Sequence, residues 1–446
     1  MNCSWKFSCC QERGRLVRNL DFSYQTSKLN MFTVFHPEIA QEVLRYPKGI
    51  QGFRIQGEPK PFLIVKMPHQ YLLTAKINGG FKVYVVPLDV SGVVTIGLMT
   101  AFFDDPDNPL TLWTPLANDP ASKELVAALL TGELRIHLFD EHNRELLGYS
   151  AKAVTPLKVK VLLEHSKFHD LSHEVANELG EAAQNWFGTR TPREDAEAIS
   201  IEFGEPLFPE EMAIMDMRFD RYTFHGSKGF SHMSLVKAEP GQFQEIDIIL
   251  LLQRIFRQDQ IYYAPKRIYD KEEIADIIVI TDDICLIIQA KDSPNTEKML
   301  QNSLDRKRLK ARKQLKEGVN QASGAIGYLD RVQPFRMYID DHEIELDLGK
   351  RQILSLIVVR ELFQDDYPEY SKELFDLFGR INLPCIALDY PELHTYTAYC
   401  EDAEEFIRAY FEVFDFALEN GQFPRLRFGM RDLHRGDGSF KFDRLR

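Results

Sequence analysis

Long apolar runs are missing from this 446-residue chain. No stretch reaches the ~18–20 residues that a membrane-spanning helix needs, because Asp247, Asp276 and Asp282 interrupt the best candidates. Cysteine is scarce, and Cys3, Cys9, Cys10, Cys285, Cys385 and Cys400 form no CxxC pair. That excludes a zinc ribbon or a disulfide framework, and the adjacent Cys9 and Cys10 are poorly placed to bridge each other. The opening MNCSWKFSCCQERGR lacks an apolar core followed by small residues, so secretion is not expected. Excess positive charge is absent as well: 54 Lys and Arg stand against 67 Asp and Glu, a net charge of -13. A general polyanion binder is thereby excluded, since phosphate contacts need clustered cations. P-loop, dinucleotide-binding, nucleophile-elbow and kinase signatures are also missing, as are internal repeats and low-complexity tracts. The expectation is a soluble cytoplasmic protein with no membrane association.

What is present fits a folded chain, with 44% apolar and 27% charged residues. The length predicts two or three domains. Residues 1–30 are polar without periodicity and read as a loose extension, or as a start placed upstream of Met31. Residues 31–205 predict a β-rich domain. In it FLIVK, YLLTAKI and FKVYVVPL read as strands, the last two joined by an Asn78-Gly79-Gly80 hairpin. Pro120 and Gly132 bracket a helix, a second hairpin turns at Glu141-His142-Asn143, and 170–187 has helical spacing. The Pro- and Glu-rich stretch 203–211 reads as a linker.

From 216 to 425 the pattern becomes α-β-β-α-β-α-β-α, which predicts an α/β domain with a mixed sheet flanked by helices. A basic tail, 426–446, follows. The informative segment is IADIIVITDDICLIIQAK. If the turn at Asp282-Asp283 is two residues, Asp276 falls opposite Gln289, with Lys291 on the same face two residues later; a four-residue loop keeps this register and a three-residue loop destroys it. Three polar residues at the ends of apolar strands are costly without a shared partner. A carboxylate, an amide oxygen and a lysine suit a hard divalent cation and a water. The bland alternative is three strand ends fraying into solvent.

Asp276 followed by Gln289-Ala290-Lys291 resembles the PD-(D/E)xK nuclease superfamily, nearest to its Mrr-like and NERD-like restriction endonuclease branch. The resemblance covers roughly residues 220–420. It implies a restriction-endonuclease-like α/β fold and a Mg²⁺-dependent endonuclease, with Mn²⁺ as an alternative ion. Asp276, Glu245, Gln289 and Ala290 would hold the metal, and Lys291 would hold or deprotonate the attacking water. Glu245 stands on the helix before the sheet, where the family carries a Glu. Gln314 and Gln321, seven residues apart on the helix after the motif, match a frequent family Gln. Glu272 and Glu273 are substitutes for Glu245, although a strand start favours their solvation.

Seven cations, Arg306, Lys307, Arg308, Lys310, Arg312, Lys313 and Lys316, follow the motif within one helical stretch. In an acidic protein they predict a nucleic-acid-binding face, anchored by Leu300, Leu304, Ala311 and Leu315. The expected substrate is DNA, with bacterial defence against foreign DNA as the context the resemblance implies. The N-terminal domain is open to a partner protein of a defence system or to self-association. Two rivals stay open: a non-catalytic nucleic-acid-binding or scaffold protein with this fold, and an RNA-cleaving toxin. His165, His169 and His173 lack a fourth ligand, and HGSKGFSH at 225–232 reads as an entry loop, so neither is read as a site.

Overall fold

The computed structural model describes residues 31–425, apart from 45, 47, 91, 104–108, 172 and 238–240. The expected extension, the basic tail beyond Arg425, and Cys3, Cys9 and Cys10 lie outside the described residues. Among the described residues no helix is long and apolar enough to cross a membrane. Cys285, Cys385 and Cys400 are buried thiols that form no disulfide among the described residues.

The protein is a mixed α/β structure. Its N-terminal half opens with α1 (Phe32–Phe35) and α2 (Pro37–Leu44), followed by β1 (Gly49–Phe53) and β2 (Phe62–Lys66). The Glu145 carboxylate accepts the N–H groups of Phe32 (2.8 Å) and Thr33 (3.0 Å), amides that a first helical turn leaves without partners. Next come α3 (His69–Ile77), β3 (Gly80–Val90), β4 (Val93–Phe102), β5 (Leu110–Pro115) and α4 (Pro120–Thr131). The half closes with β6 (Glu133–Phe139), β7 (Glu145–Val154), α5 (Leu157–His165), α6 (His173–Gly188), α7 (Pro192–Glu197) and β8 (Ile199–Pro206). Its eight strands form one sheet in the order β1-β2-β6-β7-β8-β3-β4-β5.

Three expectations need correction here. YLLTAKI is helix α3 rather than a strand, and Asn78-Gly79-Gly80 ends that helix instead of turning a hairpin. Gly79 takes the left-handed conformation, φ +62°, that terminates many helices, so one glycine signature serves both motifs. The linker begins later than 203, because β8 runs to Pro206 and pairs with both β3 and β7. The three histidines share no helix: α5 ends at His165, His169 bridges to Ala117, and α6 starts at His173.

A ribbon of β9 (Ile214–Asp216) and β10 (Ser231–Met233) leads to α8 (Gly241–Leu252), β11 (Ile261–Tyr263), β12 (Ile277–Ile280) and β13 (Ile284–Lys291). Then follow α9 (Glu297–Leu300), α10 (Leu304–Arg331), the hairpin β14 (Phe335–Ile339) and β15 (His342–Leu346), and β16 (Gln352–Val359). The end is α11 (Tyr367–Ile381), β17 (Cys385–Asp389), α12 (Tyr390–Tyr399) and α13 (Ala403–Asn420). The sheet order is β11-β12-β13-β16-β17, antiparallel as far as β13 and parallel beyond it.

Both faces of this second sheet are covered, which explains the unbroken apolar runs of its strands. Ile277, Val279, Leu286 and Ile288 share a core with Ile248 and Leu251 of α8. Ile278, Cys285 and Ile287 share another with Ala325, Tyr328 and Leu329 of α10. Helix α10 crosses close above β16 at Gly318, where a Cβ would stand 2.6 Å from Ile357 Cγ2. That contact fixes the helix against the strand beside β13, at the position that pairs with Gln289.

Candidate active site at the end of the central hairpin

The β12–β13 ladder pairs Ile277 with Ile288 and Ile280 with Cys285, and the Thr281 N–H meets the Ile284 carbonyl at 3.0 Å. This is the two-residue-turn register, and continuing it by one step sets Asp276 across from Gln289. The carboxylate Oδ2 of Asp276 accepts the Ala290 N–H at 2.5 Å and lies 3.6 Å from Lys291 Nζ. Lys291 also donates to the Ala290 carbonyl at 2.9 Å. Asp276, Gln289, Ala290 and Lys291 therefore meet at one point. Gln289 is 2% exposed, and its side-chain amide makes no hydrogen bond to the described residues. Its amide is not among the sealed side-chain polar groups that lack a partner, so water reaches it.

Glu245 comes from α8, where its Oε2 accepts the Tyr263 hydroxyl at 2.9 Å. Burial pushes the Glu245 carboxyl up, Asp276 adds to that, and Tyr263 and Lys291 oppose it. Glu273 joins the same field while keeping contact with solvent. Burial, then Asp276 and Glu245, raise it to about 7 against the pull of Lys291 and Lys266. Asp276 is itself raised by burial and held back by Lys291 and the Ala290 N–H. Both sequence substitutes are exposed; Glu273 is the one whose charge couples to Asp276 and Glu245, whereas Glu272 pairs with Arg267. Asp276 raises Glu245, and Asp276 with Glu245 raises Glu273, so the surroundings of Lys291 carry a negative field.

The helix α10 face is narrower than its sequence suggests. Arg308 and Arg312 both bind the buried Asp366, Arg308 through Nε at 2.9 Å and Arg312 at 2.8 Å. Lys313 and Lys316 lie 3.7 and 3.6 Å from Glu317 and Glu373. Arg306 is exposed, and Lys307 and Lys310 are half-buried. Gln314 is buried and donates to the Asp292 carbonyl (2.6 Å) and Ser293 Oγ (3.0 Å), fixing the chain just after Lys291. Gln321 is exposed and does not join it, because α10 turns that position away from the core. Ala311 and Leu315 are buried as the stripe required, whereas Leu300 and Leu304 are half-buried.

Sequence reasoning missed a second polar cluster, at the seam between the halves. His69, on α3, uses Nδ1 and its backbone N–H on Glu141, at 3.0 and 2.7 Å. Tyr390 donates to Glu141 at 2.6 Å and lies 3.1 Å from His142 Nε2. Asp247, on α8, takes Arg144 at 2.9 Å and Lys237 at 3.2 Å, while Arg144 also binds Asp140 at 2.5 Å. Arg254 donates to the Glu141 carbonyl at 2.8 Å. No local spacing announces residues scattered from 69 to 390.

His69, Glu141 and Asp247 are the one metal-sized trio among the described residues, their donor atoms within 4.8 Å of one another. The cluster nevertheless does not suit a metal. Three acidic groups (Asp140, Glu141, Asp247) already face three basic ones (Arg144, Lys237, Arg254). Burial holds His69 and His142 well below the usual imidazole range, and thus neutral. Lys237 Nζ stands 3.3 Å from His69 Nε2, so its ammonium completes the shell. A divalent ion here would add uncompensated buried charge. The site around Asp276 fits better, since Mg²⁺ keeps several waters and takes one or two carboxylates rather than a tight all-protein cage.

Comparisons with protein-family models, with curated proteins and with solved structures found no match for this chain.

Proposed function

We propose that this chain is a divalent-cation-dependent nuclease of the PD-(D/E)xK type that hydrolyses phosphodiester bonds in DNA. The observation that carries this reading is the meeting of Asp276 with Lys291 and the Ala290 N–H at the strand end that carries Gln289, with Glu245 and Glu273 in the same field. The order α8, β12–β13 hairpin, α10 and parallel β16 supports the restriction-endonuclease-like form of the α/β fold.

Asp276, Glu245, the Gln289 amide oxygen and the Ala290 carbonyl are the residues that would hold Mg²⁺ or Mn²⁺. When bound, such an ion supplies positive charge at the scissile phosphate. Lys291, between Asp276 and the Ala290 carbonyl, donates hydrogen bonds and orients the attacking water. Glu273, raised to about 7, is the carboxylate matched to accept a proton near neutral pH. Gln314 keeps the strand end that carries Lys291 in place through its bonds to Asp292 and Ser293.

The test is incubation of the full chain with plasmid DNA, linear duplex and RNA in Mg²⁺, Mn²⁺ or chelator. Cation-dependent DNA cleavage that disappears in Lys291→Ala is the expected result. Binding without cleavage in both ions would defeat the proposal, and cleavage of RNA alone would redirect it.

A further inference from the structure

His69 of the N-terminal half and Lys237 of the C-terminal half meet inside the seam, Nε2 to Nζ at 3.3 Å, and both side chains are buried. We propose that this contact is a proton-sensitive latch: protonation of His69 releases Lys237, opens the seam locally and loosens the strand end that carries Lys291. The inference goes beyond the nuclease reading and does not rest on it.

The tautomer of His69 follows from its partners. Nδ1 faces Glu141 Oε1 at 3.0 Å, and a carboxylate only accepts, so Nδ1 carries the proton. Nε2 is then a lone pair that accepts from the Lys237 ammonium. A second proton can enter only at Nε2. It would cancel that hydrogen bond and set an imidazolium against an ammonium at 3.3 Å, with both groups out of water. The neighbouring acids are already committed. Glu141, in the turn between β6 and β7, takes His69 through Nδ1 and the backbone N–H, and Tyr390 of α12. Asp247 of α8, 4.0 Å from Nδ1, is shared by Lys237 and Arg144, and Arg144 also holds Asp140. Burial first, then Lys237, keeps His69 well below the usual imidazole range; Arg144 adds to this, while Asp247 and Asp140 oppose it. His142, in the same turn, gives its Nε2–H to the Tyr390 hydroxyl at 3.1 Å rather than meeting Lys237, because the hydroxyl proton goes to Glu141.

Lys237 connects this contact to the candidate active site. Its backbone N–H and carbonyl pair with those of Asn295 at 3.1 and 2.8 Å, and Asn295 Nδ2 donates to the Leu235 carbonyl at 2.8 Å. Asn295 Oδ1 accepts from the Arg360 guanidinium at 2.8 Å, and the backbone N–H of Arg360 donates to the Lys291 carbonyl at 3.2 Å. Burial pushes up the carboxyl of Asp292, the residue after Lys291, and Arg360 and Lys237 oppose it. Hydrogen bonds and charge therefore run without a break from Glu141, through His69 and Lys237, to the backbone of Lys291. Releasing Lys237 removes the middle of that run.

The sign is fixed by the closed form being the neutral one. Once open, His69 titrates near its ordinary value, so below about pH 6.5 each unit of pH shifts the balance up to about tenfold toward the open form. The experiment is hydrogen exchange of the full chain in chelator at pH 7.5 and 5.5, corrected for the intrinsic rate. Local protection is read because buried carboxylates elsewhere titrate with the opposite sign in a global melt. Wild type, His69→Gln and His69→Lys are compared. Wild-type segments 235–237 and 293–295 should lose about tenfold in protection at pH 5.5, while β16 keeps its own. His69→Gln retains an acceptor for Lys237 and cannot gain a charge, so it should keep its protection at both pH values. His69→Lys should be open at both, and if it does not fold, His69→Gln carries the test. Unchanged wild-type protection, an equal loss in His69→Gln or a parallel loss in β16 overturns the proposal. Plasmid cleavage by the same proteins separates the two readings: the exchange pattern without any cleavage defeats the nuclease and supports the latch.

Discussion

Glu245 and Asp247 lie two residues apart on α8 and serve opposite tasks. Successive positions on a helix are ~100° apart, so these two carboxylates leave α8 on nearly opposite sides. Glu245 meets Tyr263 beside the candidate active site, and Asp247 meets Arg144 and Lys237 at the seam. One helix therefore ties the joint between the halves to the proposed chemistry, and any rotation of α8 would disturb both.

Removing Asp247 should show the strength of that joint. Asp247→Ala leaves Arg144 and Lys237 buried without their shared carboxylate, a type of change that costs about 3–5 kcal/mol. Urea unfolding of the variant should show a correspondingly lower midpoint. A loss under about 1 kcal/mol would place this network among weak surface pairs.

Lys291→Ala should reduce cleavage by about 10²–10⁴-fold, the range for a positioned proton-handling or hydrogen-bonding group. Its melting temperature should stay close to that of the parent, because Lys291 lies at a strand end and its ion pair is partly exposed. Single-turnover cleavage with saturating Mg²⁺ checks the rate, and circular dichroism checks the fold.

Glu273 gives a pH signature whose sign is fixed by its raised pKa. Unfolded, the carboxyl titrates near its ordinary value; folded, it titrates at about 7. Its contribution is therefore fully present at low pH and is lost as pH rises from about 4.5 to 7, where the unfolded state releases the proton first. Cation-free protein should lose stability across that window, and Glu273→Gln should flatten the curve. Added Mg²⁺ should restore stability more at pH 8 than at pH 5, because the cation competes with protons for the carboxylates. The cleavage rate should rise through pH 7 and lose that rise in Glu273→Gln. Thermal melts and initial rates from pH 4.5 to 8.5 test all of this.

The cations of α10 should separate into two classes. Burial pushes Asp366 up, but Arg308 and Arg312 override it and hold its carboxyl down at about 2. Arg308→Gln with Arg312→Gln should therefore lower stability above about pH 4, where Asp366 would be left charged and buried, with little change in the salt dependence of DNA binding. Arg306→Gln with Lys313→Gln should leave melting unchanged and reduce the salt slope by up to about 0.9 per residue. Equal effects of the two pairs on the slope would restore the wider basic face.

The hairpin was legible in the sequence because its information is local. Two apolar strands and the Asp282-Asp283 turn determine a register, and the register places Asp276, Gln289 and Lys291 together. Helix α3 was misread because Tyr71, Leu72, Leu73 and Thr74 are as common in strands as in buried helices, and Asn78-Gly79 ends either. The hairpin β14–β15 escaped notice because its strands are only five residues each, and Arg336, Glu343 and Glu345 interrupt their apolar positions. Glu273 was legible as a substitute for Glu245, but nothing in the local spacing separated it from Glu272. The seam was not legible, because His69, Glu141, Asp247 and Tyr390 meet only after both sheets have formed.

That late meeting bears on how this protein can be cut. A fragment trimmed to residues 216–425 would keep Lys237, Asp247, Arg254 and Tyr390 but lose Asp140, Glu141, Arg144, His69 and His142. Asp247 would then face water across an opened surface, with Lys237 as its remaining cation. The complementary fragment would carry Arg144 and Glu141 at a bare edge. Each piece would display a polar scar that was built to be sealed. The seam thus makes the two halves a single purification unit, and fragment swaps with other proteins would need to transplant both sides of it together.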